Sequence, residues 1–125
     1  MKTKTIFLIL RIAIAVILIQ TLRFKFTAHP DSVYIFETVG LEPYGRLGIG
    51  VLELIAGILL LIPRTIWMGA LLATGLMAGA IFMHLTQLGI DVKGDGGVLF
   101  YTAVATFLLS LATFIYYRKE SPFFS

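Results

Sequence analysis

The chain has 125 residues, of which 58% are hydrophobic, and its formal charge at pH 7 is +3. A mean hydropathy of +0.95 excludes an ordinary water-soluble domain, and the length allows one small domain. No cysteine is present, which excludes disulfide and thiol redox chemistry, an iron–sulfur cluster held by Cys and a Cys zinc site.

A helix needs roughly 20 apolar residues to cross a bilayer, and four stretches near that length are predicted to be helical: about 5–26, 46–62, 66–89 and 97–117. They make residues 1–125 a single membrane domain, an all-α polytopic four-helix bundle whose first partner is the lipid bilayer. The opening stretch looks like a secretory signal, but Arg11 interrupts it and no small-residue cleavage site follows, so it reads as a retained span. Arg11 is expected to snorkel to the cytoplasmic surface. In the long loop that follows, Pro30–Asp31 is a helix start and Gly40 a stop. The apolar residues between them predict a short interfacial helix, either a cover for the outer mouth of the bundle or a simple lipid-facing connector. Pro63–Arg64–Thr65 is a tight turn, and 91–97 is a turn in which Asp95 caps the last span.

The basic residues lie at span ends and read as topology anchors rather than as a nucleic-acid surface. Lys2, Lys4, Arg11, Arg64, Arg118 and Lys119 fall on one side, and Arg23, Lys25, Arg46 and Lys93 on the other. Six against four predicts that both termini, Ser125 included, are cytoplasmic.

The polar side chains inside the spans are the candidate site, because a carboxylate in hydrocarbon is costly unless paired or neutralised. Arg46, Gly50, Glu53 and Gly57 recur at i, i+4, i+7 and i+11 and share one face of the second span. Glu53 lies about 10 Å along the helix from Arg46. Gly69, Ala73, Ala80, His84 and Gln87 are assigned to one face of the third span. Gln20 on the first span falls at a comparable depth, so Glu53, His84, Gln87 and Gln20 are read as one cluster in the outer leaflet. Small residues beside them, Gly50 and Gly57 among them, allow close helix approach. Within the cluster Glu53 is expected to pair with Arg46 or His84, and His84 is a plausible proton donor or acceptor. The competing reading is structural: Gln20 and Gln87 as inter-helix glue, and the Glu53 pair as a fixture of helix arrangement. Gly75 and Gly79 form a GxxxG step on the opposite face of the third span, a helix-packing or dimer seam, with packing inside the monomer expected ahead of a dimer. Thr102, Thr106 and Thr113 mark a stripe of back-bonded or interhelical hydroxyls. Asp91 and Asp95 lack calcium-loop spacing and no metal site is expected; haem ligation by His84 with His29 is the weaker alternative.

In order and spacing, Lys25–Phe26, Gly40–Leu41–Glu42–Pro43, Val51–Leu52–Glu53–Leu54–Ile55–Ala56–Gly57 with Leu59–Leu60–Leu61 and Pro63, Gly79–Ala80 and His84–Leu85 resemble the DoxX-like family of small four-helix membrane proteins. The resemblance covers nearly the whole length, with one departure: many relatives carry a glycine shortly before the lysine, where this chain has Leu22 and its neighbours. It adds Lys25 to the candidate residues and implies a multi-pass protein of the cell inner (cytoplasmic) membrane. Some relatives are named as subunits of a thiosulfate:quinone oxidoreductase, others are associated with quinone stress or oxidoreductase complexes, and distant ones include membrane chaperones.

Three functions are open on these grounds. The first is a membrane subunit of a quinone-linked redox system, binding a quinone or similar amphiphile near Glu53 and His84. No cofactor motif is evident in the chain, so a partner oxidoreductase subunit would supply electrons. The second is a non-enzymatic assembly or chaperone-like scaffold that holds a client helix or another copy of itself. The third is a small transporter or proton path, for which Arg11 is the lone charge in the cytoplasmic half.

Overall fold

The computed structural model describes residues 2–120; Ser125 lies outside the described residues. Among the described residues, four helical segments are long and apolar enough to cross a membrane. The first, Lys2–Phe26, is α1 (Lys2–Gln20) followed by α2 (Leu22–Phe26). After the short α3 (Pro30–Thr38) comes the second, α4 (Tyr44–Leu61). A 3-10 turn over Pro63–Thr65 leads into α5 (Ile66–Met83) and a π-helical turn over His84–Leu88, which together form the third segment; α6 (Val98–Tyr117) is the fourth. The 18 residues of α4 correspond to about 27 Å of helix, close to the thickness of a hydrocarbon core. This is a multi-pass, all-helical membrane bundle.

The segments close into a ring in chain order, with α1 beside α4, α4 beside α5, α5 beside α6, and α6 back against α1. Lipid cannot drive these helices together hydrophobically, so close approach of small residues and polar bonds between helices hold them. Gly69 shows the first device. A Cβ there would stand 2.7 Å from the Leu60 nitrogen and 2.8 Å from the Ala56 oxygen, so α4 and α5 touch backbone to backbone. Gly57 likewise makes room for Ile19 of α1. The dry part of the interior is built from Ile14, Ala15 and Leu18, Ala56 and Leu60, Ile66, Ala70, Ala73 and Met77, and Ala103.

Gly75 and Gly79 do not take part. Both are exposed, and a Cβ on either would meet nothing within 4 Å. Their GxxxG step is therefore not a seam inside the monomer. The spacing marks a face of α5 but carries no information on what that face meets, and Ala70, Ala73 and Met77 on the other side do the packing.

Arg11 has a partner that the sequence did not name. Its Nη1 donates to the Leu60 carbonyl oxygen at 2.8 Å. Leu60 lies in the last turn of α4, where carbonyls lack helical partners, and a guanidinium satisfies one of them without leaving the bundle.

Turn chemistry sets α3 across one end of the ring. His29 caps it, its Nδ1 accepting from the Asp31 N–H at 3.1 Å, with Pro30 opening the first turn. Gly40, at φ +78°, ends it; that left-handed conformation suits glycine. The helix rests on α2, α4 and the π-helical turn. Lys93, in the loop before α6, holds its start by donating to Asp31 Oδ1 at 2.9 Å. The loop is closed by Asp95, whose carboxylate accepts from the N–H groups of Val92, Gly97 and Leu99 at 3.0, 2.8 and 3.1 Å. Partial burial pushes the Asp95 carboxyl up, but those N–H groups outweigh it and hold it below its ordinary 3.8.

Candidate ligand cavity beneath α3

Under α3 the ring does not close on itself. A cavity of about 540 Å³ opens there between α1, α2, α4, α5 and α6, with Asp31, Ser32, Ile35 and Phe36 of α3 forming its cover. Ile17, Leu18, Leu76, Met77, Val98 and Ala103 make most of its wall apolar, while its polar groups include Thr21, Lys25, Glu53, His84 and Thr106, with Lys93, Asp95 and Thr102 also on the lining.

A bend in the first segment brings Lys25 into this wall. Thr21 separates α1 from α2, and its hydroxyl donates to the Leu18 carbonyl oxygen at 2.8 Å. Hydroxyl back-bonding of this kind bends a helix. Past the bend α2 leans on α4, where Gly50 leaves space for the Phe26 ring and the base of the Lys25 side chain. The Lys25 ammonium then sits 2.9 Å from Glu53 Oε1, as an ion pair rather than an aligned hydrogen bond. It also donates to Thr21 Oγ1 at 3.3 Å. Glu53 is 4% exposed, so Lys25 is the charge that makes a carboxylate tolerable there.

Arg46 is not the partner of Glu53. Its Nε donates to both carboxylate oxygens of Glu42 at 2.9 and 3.0 Å, and its Nη1 donates to the Lys25 backbone carbonyl. Two helical turns separate Arg46 from Glu53, so they share a face without touching, and the bend at Thr21 supplies a nearer cation. Arg46 is a positioning residue: it ties the end of α2 to the start of α4 and fixes where the Lys25 ammonium hangs.

His84 closes the opposite wall. It is 6% exposed and its ring lies edge-on to Phe100, with centroids 5.7 Å apart. Nδ1 is 2.8 Å from the Ala80 carbonyl oxygen. A carbonyl only accepts, so Nδ1 carries a proton, and Nε2 is buried without a hydrogen-bond partner among the described residues. No bond between His84 and Glu53 is formed; they face one cavity from different helices.

The remaining members of the predicted cluster separate. Gln20 is exposed and stands at the cavity's rim. Gln87 is exposed and does not line it. The cause is the π-helical turn that begins at His84: a wider turn moves later residues off the α-helical register, so positions 84 and 87 no longer share a face. In their place the structure adds His29, Thr21 and Thr106. Thr106 and Ser110 are wholly buried, and neither hydroxyl has a partner among the described residues, whereas Thr113 back-bonds to the Leu109 carbonyl oxygen at 2.8 Å. The spacing of Thr102, Thr106 and Thr113 flagged this stripe of α6, but not that Thr102 and Thr106 would both line a cavity, the first exposed and the second buried.

A family model for DoxX matches residues 6–86, well over half of the chain. The chain belongs to the DoxX family. In this DoxX protein the matched region takes in α1 to α5 and most of the π-helical turn, and so carries Lys25, Arg46, Glu53 and His84. No curated protein and no solved structure gives a significant match.

Proposed function

We propose that this DoxX protein is a membrane subunit of a quinone-linked redox system and holds the ring of a quinone-class amphiphile in the cavity beneath α3. The observation that carries the reading is one cavity, inside a membrane bundle, that combines apolar walls with a buried Lys25–Glu53 pair and a buried histidine. Its volume of about 540 Å³ falls within the range of about 300–1,000 Å³ usual for small-molecule sites. A quinone needs such a place: its ring oxygens require polar partners, its tail requires apolar ones, and its reduction takes up two electrons and two protons. The Lys25 ammonium has three donors; Thr21 engages one and Glu53 is its ion-pair partner, which leaves a donor for a ring oxygen. Glu53 and His84 hold and pass protons at the ring, and a partner oxidoreductase subunit delivers the electrons. The α3 end faces outward from the inner membrane, with both termini cytoplasmic.

A scaffold role is the second reading. The exposed Gly75 and Gly79 on α5 favour it, because a small-residue step free of the monomer's own packing suits a client helix or a second copy. Titration of a short-chain ubiquinone analogue against the purified protein in nanodiscs separates the readings. The redox reading expects saturable binding that weakens at least tenfold in Glu53→Gln and is untouched by Gly79→Ile. No saturable binding to the wild type would remove it.

A further inference from the structure

We infer that the cavity discriminates between the two redox forms of its ligand and binds the hydroquinone in preference to the quinone. The inference rests on the quinone reading and deepens it. It starts from the proton on His84. Nδ1 is committed to the Ala80 carbonyl oxygen at 2.8 Å, so in the neutral ring Nε2 has no proton and can only accept. Nε2 is buried and unpartnered among the described residues, in a residue that forms the cavity wall. A ligand that satisfies Nε2 must bring a donor.

Quinone and hydroquinone differ in that respect. A quinone ring carries two carbonyl oxygens, and both are acceptors. A hydroquinone carries two hydroxyls, each able to donate and to accept. Donors at the cavity serve either form, among them the Lys25 ammonium and Nε2 of neutral His29, which is protonated because His29 Nδ1 accepts from Asp31. Only the hydroquinone can also donate to His84. With a quinone bound, His84 Nε2 stays buried beside a second acceptor, and an acceptor left unpaired in a dry site is penalised far more than a satisfied one is rewarded.

The test compares decyl-ubiquinone with decyl-ubiquinol in nanodiscs at one fixed pH. Dithionite keeps the ligand reduced without touching the protein, which has no cysteine. Calorimetry on the wild type should give a Kd for the hydroquinone about tenfold or more below that for the quinone. In His84→Phe, which keeps an aromatic ring beside Phe100 and removes the acceptor, the two values should converge, with quinone affinity kept or improved. Equal affinities in the wild type, or tighter quinone binding, would overturn the inference while leaving the quinone reading intact. An undiminished preference in His84→Phe would also overturn it. Binding of neither form would overturn both.

Discussion

Lys25 and Glu53 should behave as a unit, and removing one should cost more than removing both. At 2.9 Å two unit charges attract by about 6 kcal/mol at an effective dielectric of about 20. Desolvation of two buried ions offsets most of that, so the pair adds little net stability. Breaking it is different. Lys25→Met leaves the Glu53 carboxylate, 4% exposed, facing an apolar wall, and a buried charge stripped of its partner costs about 3–5 kcal/mol. Glu53→Gln should cost less, about 1–3 kcal/mol, because the Lys25 side chain is 15% exposed and keeps Thr21. The double variant Lys25→Met/Glu53→Gln has no charge to bury and should lie within about 1–2 kcal/mol of wild type. Reversible unfolding of the detergent-solubilised protein, followed by circular dichroism in a denaturant series, gives all four corners of the cycle. A double-variant loss equal to the sum of the single losses would show that the two groups do not pair and would refute the argument.

Gly69→Val should lower unfolding stability by at least about 1–3 kcal/mol through overpacking, since the new side chain would meet the α4 backbone at Ala56 and Leu60; Gly75→Val, with open space around it, should leave monomer stability within about 0.5 kcal/mol. Asp95→Ala should cost about 1 kcal/mol at pH 7, as loss of a helix cap does. Because the folded carboxyl sits below 3.8, the Asp95 contribution is fully present above that pH and is lost as pH falls through the lower folded value. The gap between wild type and Asp95→Ala, read from thermal unfolding, should therefore close in strong acid and not near neutrality. A cysteine at Lys93 should react with an impermeant thiol reagent added outside intact cells and one at Arg118 should not; the reverse pattern would invert the bundle.

Apolar length made the membrane segments legible in the sequence, and Pro30 with Gly40 made α3 legible, because these signals act through local chemistry. Glu53 and His84 were conspicuous for a related reason: polar side chains deep in apolar helices must be buried among their own kind. What the sequence could not show depends on departures from ideal helices. The bend at Thr21 hangs on one hydroxyl, yet it decides that Lys25, not Arg46, meets Glu53. The π-helical turn carries no sequence signature, and it moves Gln87 off the face of His84. The GxxxG step named a spacing without naming a neighbour, whereas Gly69, already placed on the face of His84 with Ala73, is the one of these glycines that sits against a backbone. The partner of Arg11, the Leu60 carbonyl, was hidden because it comes from a distant part of the chain.

The central claim, that an amphiphile's ring sits beneath α3 between Lys25 and His84, is tested most directly by photolabelling. A ubiquinone analogue with a photoreactive group on the ring, irradiated with the protein in nanodiscs and mapped by mass spectrometry, should mark Met77, Leu76 or Thr106. An excess of unlabelled analogue should suppress those marks. Labelling that excess analogue does not suppress, or labelling confined to lipid-facing residues of the third segment such as Leu71 and Phe82, 41% and 61% exposed, would contradict the account.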